Sequence, residues 1–225
     1  MEKDLGARLL AVVEAIPRCE SLVDCGCDHA YVSIHAAKAG KVNRITASDI
    51  NRGPLENAKS EIEAAGFSDR IETVLTDGLS GISPHECVVI AGMGGETIAE
   101  IIAATSWTKE NCTLILQPMT KLDILRTFLY NEGFEIFDEK IVAEGERIYC
   151  VISTRFAGDV AYLPYEKYIS KGARSCALAK KYTDSVIKRL ENELQSRSLA
   201  NAITEEEKEA RERDLESLYE MRKSL

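Results

Sequence analysis

The chain has 225 residues, 45% of them hydrophobic, which suffices for one substantial core with a small appendage and not for two large domains. Its formal net charge of -9 speaks against uniform electrostatic attraction to nucleic acid, and no apolar run approaches the length of a membrane-spanning helix. The Met1, Glu2, Lys3, Asp4 start lacks the basic opening and apolar run of a secretory signal, so a cytoplasmic protein is expected. Seven cysteines, odd in number and scattered through strand-like runs, suit reduced core thiols better than a disulfide framework.

Leu5, Leu9, Val13 and Ile16 recur at helical spacing before Pro17, which predicts an N-terminal amphipathic helix. Alternation follows. Strand-like runs at 22–25, 44–48, 71–75, 88–91 and 114–116 are interleaved with helix-compatible stretches at 31–39, 54–65, 95–104 and 121–131. Near-continuous apolar strands alternating with helices predict a parallel sheet covered on both faces. From Gly133 the pattern changes: 134–142 and 148–154 read as strands joined by the turn 143–147, too short for a crossover helix and therefore an antiparallel hairpin.

Beyond Phe156, Tyr168, Cys176, Tyr182, Val186, Leu190 and Leu194 lie mostly four apart, as on the buried stripe of one long helix. Thr204 with Glu207 is a capping box, and Ala210, Leu215, Leu218 and Leu225 continue an apolar stripe behind it. Two helices joined near 198–203 would pack as an antiparallel hairpin, giving a main domain at 1–156 and a helical hairpin at 157–225. Charge is segregated there. Residues 171–189 hold Lys171, Arg174, Lys180, Lys181, Lys188 and Arg189 against Asp184 alone, a strip that either a solvated helix face or an RNA-binding face produces.

The first strand runs into Val23-Asp24-Cys25-Gly26-Cys27-Asp28-His29-Ala30-Tyr31, a glycine turn crowded with polar groups where doubly wound proteins bind nucleotide-like cofactors. A nicotinamide fingerprint wants a third glycine where this chain has Tyr31. Cys25, Cys27 and His29 invite a metal reading, but a tetrahedral site wants four ligands and no second paired cluster follows, so no metal is expected. Asp49 ends strand two, at about the spacing expected of a ribose-binding carboxylate, and it also fits a helix N-cap. Thr76-Asp77-Gly78 ends strand three, as an adenine-side contact or an ordinary turn. Strand four closes on Val89-Ile90-Ala91-Gly92-Met93-Gly94-Gly95, a bare backbone against which a flat ring could lie.

A parallel sheet ending in an antiparallel hairpin resembles the class I S-adenosylmethionine-dependent methyltransferase fold, an α/β Rossmann-like sheet. On that resemblance Asp24 and Gly26 occupy the acidic and first-glycine positions of the methyltransferase glycine motif. The absence of an Asn-Pro-Pro-aromatic sequence after strand four separates the chain from the larger group of base amino-methyltransferases. Taken together, the 24–31 turn, Asp77-Gly78-Leu79, the 89–95 run, Leu114-Ile115-Leu116-Gln117-Pro118 and Glu146-Arg147-Ile148-Tyr149 closely resemble the bacterial tRNA (adenine(22)-N1)-methyltransferase family over essentially the whole chain.

Three positions depart from that family's usual pattern: Ser33 stands for Pro, Asp49 for Glu and Met119 for Asn. The resemblance implies methylation of adenine N1 in tRNA with S-adenosylmethionine as cofactor. The expected cofactor site is Asp24, Gly26, Asp28, His29, Asp49, Ile50, Asp77, Gly78, Ala91 and Gly92. Tyr31, Met93, Gly94, Gly95, Gln117 and Pro118 are expected around the target base, with Lys180 and Lys181 on the tRNA. Asp28 is the candidate catalytic residue, accepting a hydrogen bond from the base's amino group; capping the next helix or holding the cofactor are its competing roles. Two other classes fit parts of the pattern: a small-molecule or protein methyltransferase, which needs no basic arm, and a catalytically silent tRNA-binding module.

Overall fold

The computed structural model describes residues 5–225; the start at Met1, on which the signal-sequence reading rests, lies outside the described residues. In chain order the elements are α1 (Ala7–Ala15), β1 (Cys19–Cys25), α2 (Tyr31–Lys38), β2 (Val42–Asp49), α3 (Arg52–Ala65) and β3 (Ile71–Leu75). They continue with β4 (Cys87–Gly94), α4 (Gly95–Ala103), β5 (Thr113–Thr120), α5 (Leu122–Asn131), β6 (Phe134–Glu144), β7 (Arg147–Phe156), α6 (Ala179–Leu199) and α7 (Glu205–Arg222). The seven strands form one sheet in the order β3-β2-β1-β4-β5-β7-β6.

The strands from β3 to β5 pair in parallel, and β7 enters antiparallel between β5 and β6. Strand order reverses direction between β1 and β4, where Cys25 pairs with Ile90, so a crevice opens beyond their carboxyl ends. Successive side chains point to opposite faces. Leu22, Val89, Ile115 and Val151 pack with Val12, Ile34 and Ile62 beneath α1 to α3, while Val23, Ile90, Leu116 and Ile152 pack with Ile98, Leu125 and Leu129 beneath α4 and α5. Two buried faces explain why these strands read as unbroken apolar runs.

The hairpin closes more tightly than the sequence suggests. Glu144 pairs with Arg147, leaving only Gly145 and Glu146 as the loop, with Gly145 at φ +59°. Strand β4 is longer than expected, running through Gly92 to Gly94 with register shifts against β5 on either side of Met93.

The C-terminal reading needs correction. Tyr168 and Cys176 do not belong to a long helix, because residues 164–178 form two separate 3₁₀ turns, Pro164–Lys167 and Gly172–Ser175, before α6 begins at Ala179. Gly172 presses this segment on β6: a Cβ there would lie 3.0 Å from the backbone of Asp138 and Glu139. The Thr204–Glu207 capping box does form, Glu207 N donating to Thr204 Oγ1 at 3.2 Å and Thr204 N to Glu207 Oε2 at 3.0 Å. The helical hairpin shares its core with the sheet, since Ile141 and Cys150 pack with Tyr168, Val186, Leu190 and Leu218. A buried pair, Arg126 on α5 and Glu139 on β6, reinforces the joint: Glu139 Oε2 accepts from Ser170 N at 3.2 Å, and Arg126 donates to Lys167 O at 3.4 Å and Tyr182 OH at 3.5 Å.

Among the described residues, no helix is long and apolar enough to cross a membrane.

Candidate functional site

A cavity of about 520 Å³ opens beyond the carboxyl ends of β1 to β4, at the strand-order reversal. Every residue expected at the cofactor site lines it: Asp24, Gly26, Asp28, His29, Asp49, Ile50, Asp77, Gly78, Ala91 and Gly92. Tyr31 and Met93, expected on the base side, line it as well.

The β1–α2 turn is built by its aspartates. Asp24 is fully buried, and its Oδ2 accepts from Ser33 N at 3.2 Å and Ser33 Oγ at 2.7 Å, tying the end of β1 to the first turn of α2. Burial pushes the Asp24 carboxyl up to about 6, against the pull of the two Ser33 hydrogen bonds. The residue before α2, Ala30, is left-handed and has no side-chain cap, so Asp24 supplies the capping acceptor. A proline at position 33 would have no N–H for this bond; the serine therefore adds two contacts rather than loosening the helix start.

Asp28 also has a left-handed backbone, at φ +50°, and its side chain is 72% exposed at the cavity mouth, 3.9 Å from His29 Nε2. The capping role open to it in the sequence is thus taken by Asp24. His29 stacks on Tyr31, with ring centroids 5.3 Å apart and planes 14° apart, and its Nδ1 is buried without a hydrogen-bond partner among the described residues. An unsatisfied polar atom in a cavity wall is a place for a ligand to bond.

Asp49 is buried at the end of β2, its Oδ1 accepting from Asn51 N at 2.8 Å and its Oδ2 from Asp28 N at 3.4 Å. It thereby joins two strand-end turns, while Asn51, not Asp49, occupies the N-cap position of α3. Ile50 beside it is 59% exposed, an apolar side chain held at the cavity wall. Gly78, at φ +57°, lies where a Cβ would meet Ile101 at 3.2 Å. Gly26, at φ +75°, is covered by Met93, whose Cε would be 2.1 Å from a Cβ at that position.

The rest of the expected base pocket lies elsewhere. Gly95 is buried against the β5–α5 turn, where a Cβ would sit 2.3 Å from Lys121 O, and Gly94 faces Thr120 Oγ1; neither lines the cavity. Pro118 is buried in β5 opposite Met93. Gln117 is fully buried, its Nε2 donating to Pro118 O at 2.9 Å and its Oε1 accepting from Arg8 Nη1 at 2.6 Å. It meets the cavity only through Arg8, which does line it.

Sequence reading missed Arg8 and Leu9, which α1 brings into the cavity wall. The spacing of α1 showed an apolar stripe but not where the helix would dock. That is set by Glu144 at the hairpin tip, whose Oε2 accepts from Arg8 N at 2.9 Å and takes the place of an N-cap side chain.

Lys180 and Lys181 are exposed in the first turn of α6, away from the cavity. The basic strip is not one helix: Lys171 pairs with Glu166 at 3.4 Å and Arg174 donates to Ser224 Oγ at 2.6 Å, both before α6. Its one acid, Asp184, is clamped by Arg222 at 2.5 and 3.1 Å, which leaves the exposed cations of α6 uncompensated within the strip. Met119 lines a separate cavity of about 430 Å³ with Lys121, Tyr182 and Arg189, between the β5–α5 turn and α6.

Burial pushes the Cys25 thiol up to about 12 and the Cys27 thiol higher still. Among the described residues no cluster of three or more His, Cys, Asp or Glu side chains is placed to hold a metal.

Comparison with known proteins fits this geometry. A methyltransferase-domain family model matches residues 5–152. The tRNA (adenine(22)-N(1))-methyltransferase of Bacillus subtilis is 37% identical over 164 residues, covering 70% of this chain and 67% of that protein. The crystal structure of the B. subtilis m1A22 tRNA methyltransferase TrmK superposes with a TM-score of 0.84 at 28% identity, covering 98% of this chain and 99% of the other. Streptococcus pneumoniae Sp1610, solved with S-adenosyl-L-methionine, gives 0.77 at 26% identity over 97% and 99%. The chain belongs to the tRNA (adenine(22)-N(1))-methyltransferase family.

Proposed function

We propose that this protein transfers the methyl group of S-adenosylmethionine to N1 of adenine 22 in tRNA, in the cavity at the carboxyl ends of β1 to β4. The observation that carries this reading is the convergence of Gly26, Asp49 and Asp77-Gly78 from three successive strand ends in one cavity of about 520 Å³. A cofactor made of an amino acid, a ribose and an adenine fits this donor set. Carboxylates suit the ribose hydroxyls and the adenine amino group, the backbone at Gly26 and Gly92 permits close approach, and the unpartnered His29 Nδ1 offers a further polar contact.

Bound S-adenosylmethionine supplies a methyl group on a positively charged sulfur; N1 of adenine displaces that sulfur, leaving S-adenosylhomocysteine and a cationic base. The protein's work is alignment and electrostatics. Asp28, exposed at the mouth, accepts a hydrogen bond from the exocyclic amino group of the target adenine and stabilises the positive charge that develops on it. The stacked His29 and Tyr31 form a wall against which the extruded base is held, and Met93 closes the floor over Gly26. Residues 157–225 form the tRNA-contacting appendage, with Lys180 and Lys181 on the phosphate backbone. The partner is therefore tRNA, and the cytoplasm is where it is met.

Incubating the purified protein with labelled S-adenosylmethionine and a full-length tRNA transcript, then mapping the modified nucleotide, tests the reading. Label confined to N1 of adenine 22 is expected. Label at another nucleotide, or transfer to protein or small molecules only, rejects it.

A further inference from the structure

The separate cavity of about 430 Å³ between the β5–α5 turn and α6 opens on the same edge of the sheet as the first. Strand register makes the two neighbours: Met93, which lines the first, pairs with Pro118, and Gly94 pairs with Thr120, which lines the second. Two cations stand in its walls. Lys121 comes from the turn, where its backbone is pinned, the carbonyl lying against Gly95 and accepting from Leu125 N at 3.1 Å. Arg189 comes from α6, one face of which, with Tyr182 and Ser185, lines the cavity while Lys180, Lys181 and Lys188 stay outside it. Neither Lys121 nor Arg189 pairs with a carboxylate among the described residues.

Two further observations make this a place for an anion. No side chain caps α5, a helix of 10 residues whose first turn lies in the cavity wall, so its leading N–H groups and its dipole are open to a negative charge. Arg126, fully buried in the same wall, is neutralised by Glu139 and keeps an Nε without a hydrogen-bond partner among the described residues. Asp123 adds one carboxylate against the two cations, so the balance stays positive. Met119 presents an exposed apolar thioether beside them. A cationic end and an apolar end match a nucleotide. We propose that this cavity receives the nucleotide next to the target adenosine, its phosphodiester held by Lys121, Arg189 and the N-terminus of α5, and its base or ribose against Met119. This rests on the reading of the protein as a tRNA methyltransferase that acts in the first cavity. Anchoring the neighbouring nucleotide fixes where an extruded adenine can lie, which is a positioning role. A free phosphate would satisfy the same cations, but it leaves Met119 unused, whereas adjoining strand ends about 4.8 Å apart set the two cavities side by side along one strand of RNA.

The test uses full-length tRNA carrying a single uncharged methylphosphonate linkage, placed in turn at each phosphate around adenine 22, with unmodified tRNA as reference. Wild type, Lys121→Ala/Arg189→Ala and the charge-matched Lys180→Ala/Lys181→Ala are compared by KM for tRNA and by S-adenosylhomocysteine affinity. Loss of a charge-assisted contact predicts that Lys121→Ala/Arg189→Ala raises KM about tenfold or more with S-adenosylhomocysteine affinity unchanged. One linkage adjacent to adenine 22 should cost the wild type a similar factor and cost this variant nothing further, while Lys180→Ala/Lys181→Ala still shows the full loss. Losses that add at every linkage would make the two cations part of a diffuse field and overturn the proposal. An unchanged KM in Lys121→Ala/Arg189→Ala would overturn it as well, and weakened S-adenosylhomocysteine binding would do so by assigning the pair a structural role. No coupled linkage, with methylation inhibited by inorganic phosphate in the wild type and not in the variant, would overturn it in favour of a free-phosphate site. If the wild type modifies no tRNA, the methyltransferase reading fails first and the inference falls with it.

Discussion

At the β1–α2 turn the missing Cβ of Gly26 faces the flexible end of Met93, inside the cavity; at the β4–α4 turn the missing Cβ of Gly95 faces the Lys121 carbonyl, inside the protein. Both glycines follow an apolar strand and precede a helix, and in sequence both resemble a backbone stripped for a ligand. One leaves room for a ligand and the other lets two turns touch. What distinguishes them is the neighbour that a side chain would meet, and that neighbour comes from a distant part of the chain.

The largest effect expected is therefore at the turn without the ligand. In Gly95→Ala the new Cβ would lie 2.3 Å from Lys121 O and 3.0 Å from Thr120 O, both backbone atoms of a turn already holding Lys121 at φ +57°. Neither can rotate aside, so a loss of about 3 kcal/mol is expected in denaturant unfolding. S-adenosylhomocysteine affinity of the folded fraction should be unchanged; a cofactor-binding defect in a stable variant would erase the distinction between the turns.

The aspartates of the β1–α2 turn divide in the same way, one inward and one outward. Asp24, raised to about 6 by burial, keeps its proton in the folded state over a range where the unfolded chain has lost it. Stability then falls as pH rises from about 4 to about 6 and levels off above, by up to about 3 kcal/mol from this group alone. Asp24→Asn retains an acceptor for Ser33 N and has no proton to lose, so the difference between variant and wild-type stability should widen across that window. Parallel curves from pH 4 to pH 7 would reject the assignment. Asp28→Asn should instead leave stability alone and lower kcat about 100-fold, with unchanged affinity for S-adenosylhomocysteine. A loss confined to affinity would move Asp28 to the cofactor.

Asp49, Asp77 and Gly26 were legible because alternating strands and helices place every strand end on one edge of a parallel sheet, so spacing alone brings them together. Arg8 was not, because its place depends on Glu144, 136 residues away, capping α1 from a hairpin tip. Gln117 shows the reverse failure: expected just past a strand ending at 116, it lies inside β5, with its side chain buried behind Arg8 and not presented to the cavity. The spacing of Tyr168 and Cys176 mimics a helix. The chain there follows β6 in two short turns, its apolar residues filling the joint between sheet and hairpin.

At Gly26 a smaller loss of stability is expected than at Gly95, and there it should be coupled to binding. Gly26→Ala puts a side chain at φ +75°, which costs about 1–2 kcal/mol, and displaces Met93 Cε, a methyl group at the end of a flexible chain that can swing away. The displaced methyl and the new one both take cavity volume, so S-adenosylhomocysteine should bind at least several-fold more weakly although less stability is lost than in Gly95→Ala. Adding Met93→Ala separates the two causes: it removes the collision and should restore part of the affinity, while the backbone strain at position 26 persists. Stability that recovers fully in the double variant would mean the left-handed conformation carries no cost at this turn. Affinity that stays at its wild-type value in Gly26→Ala would mean the cofactor does not approach this glycine, and the contrast between the turns would then be one of packing alone.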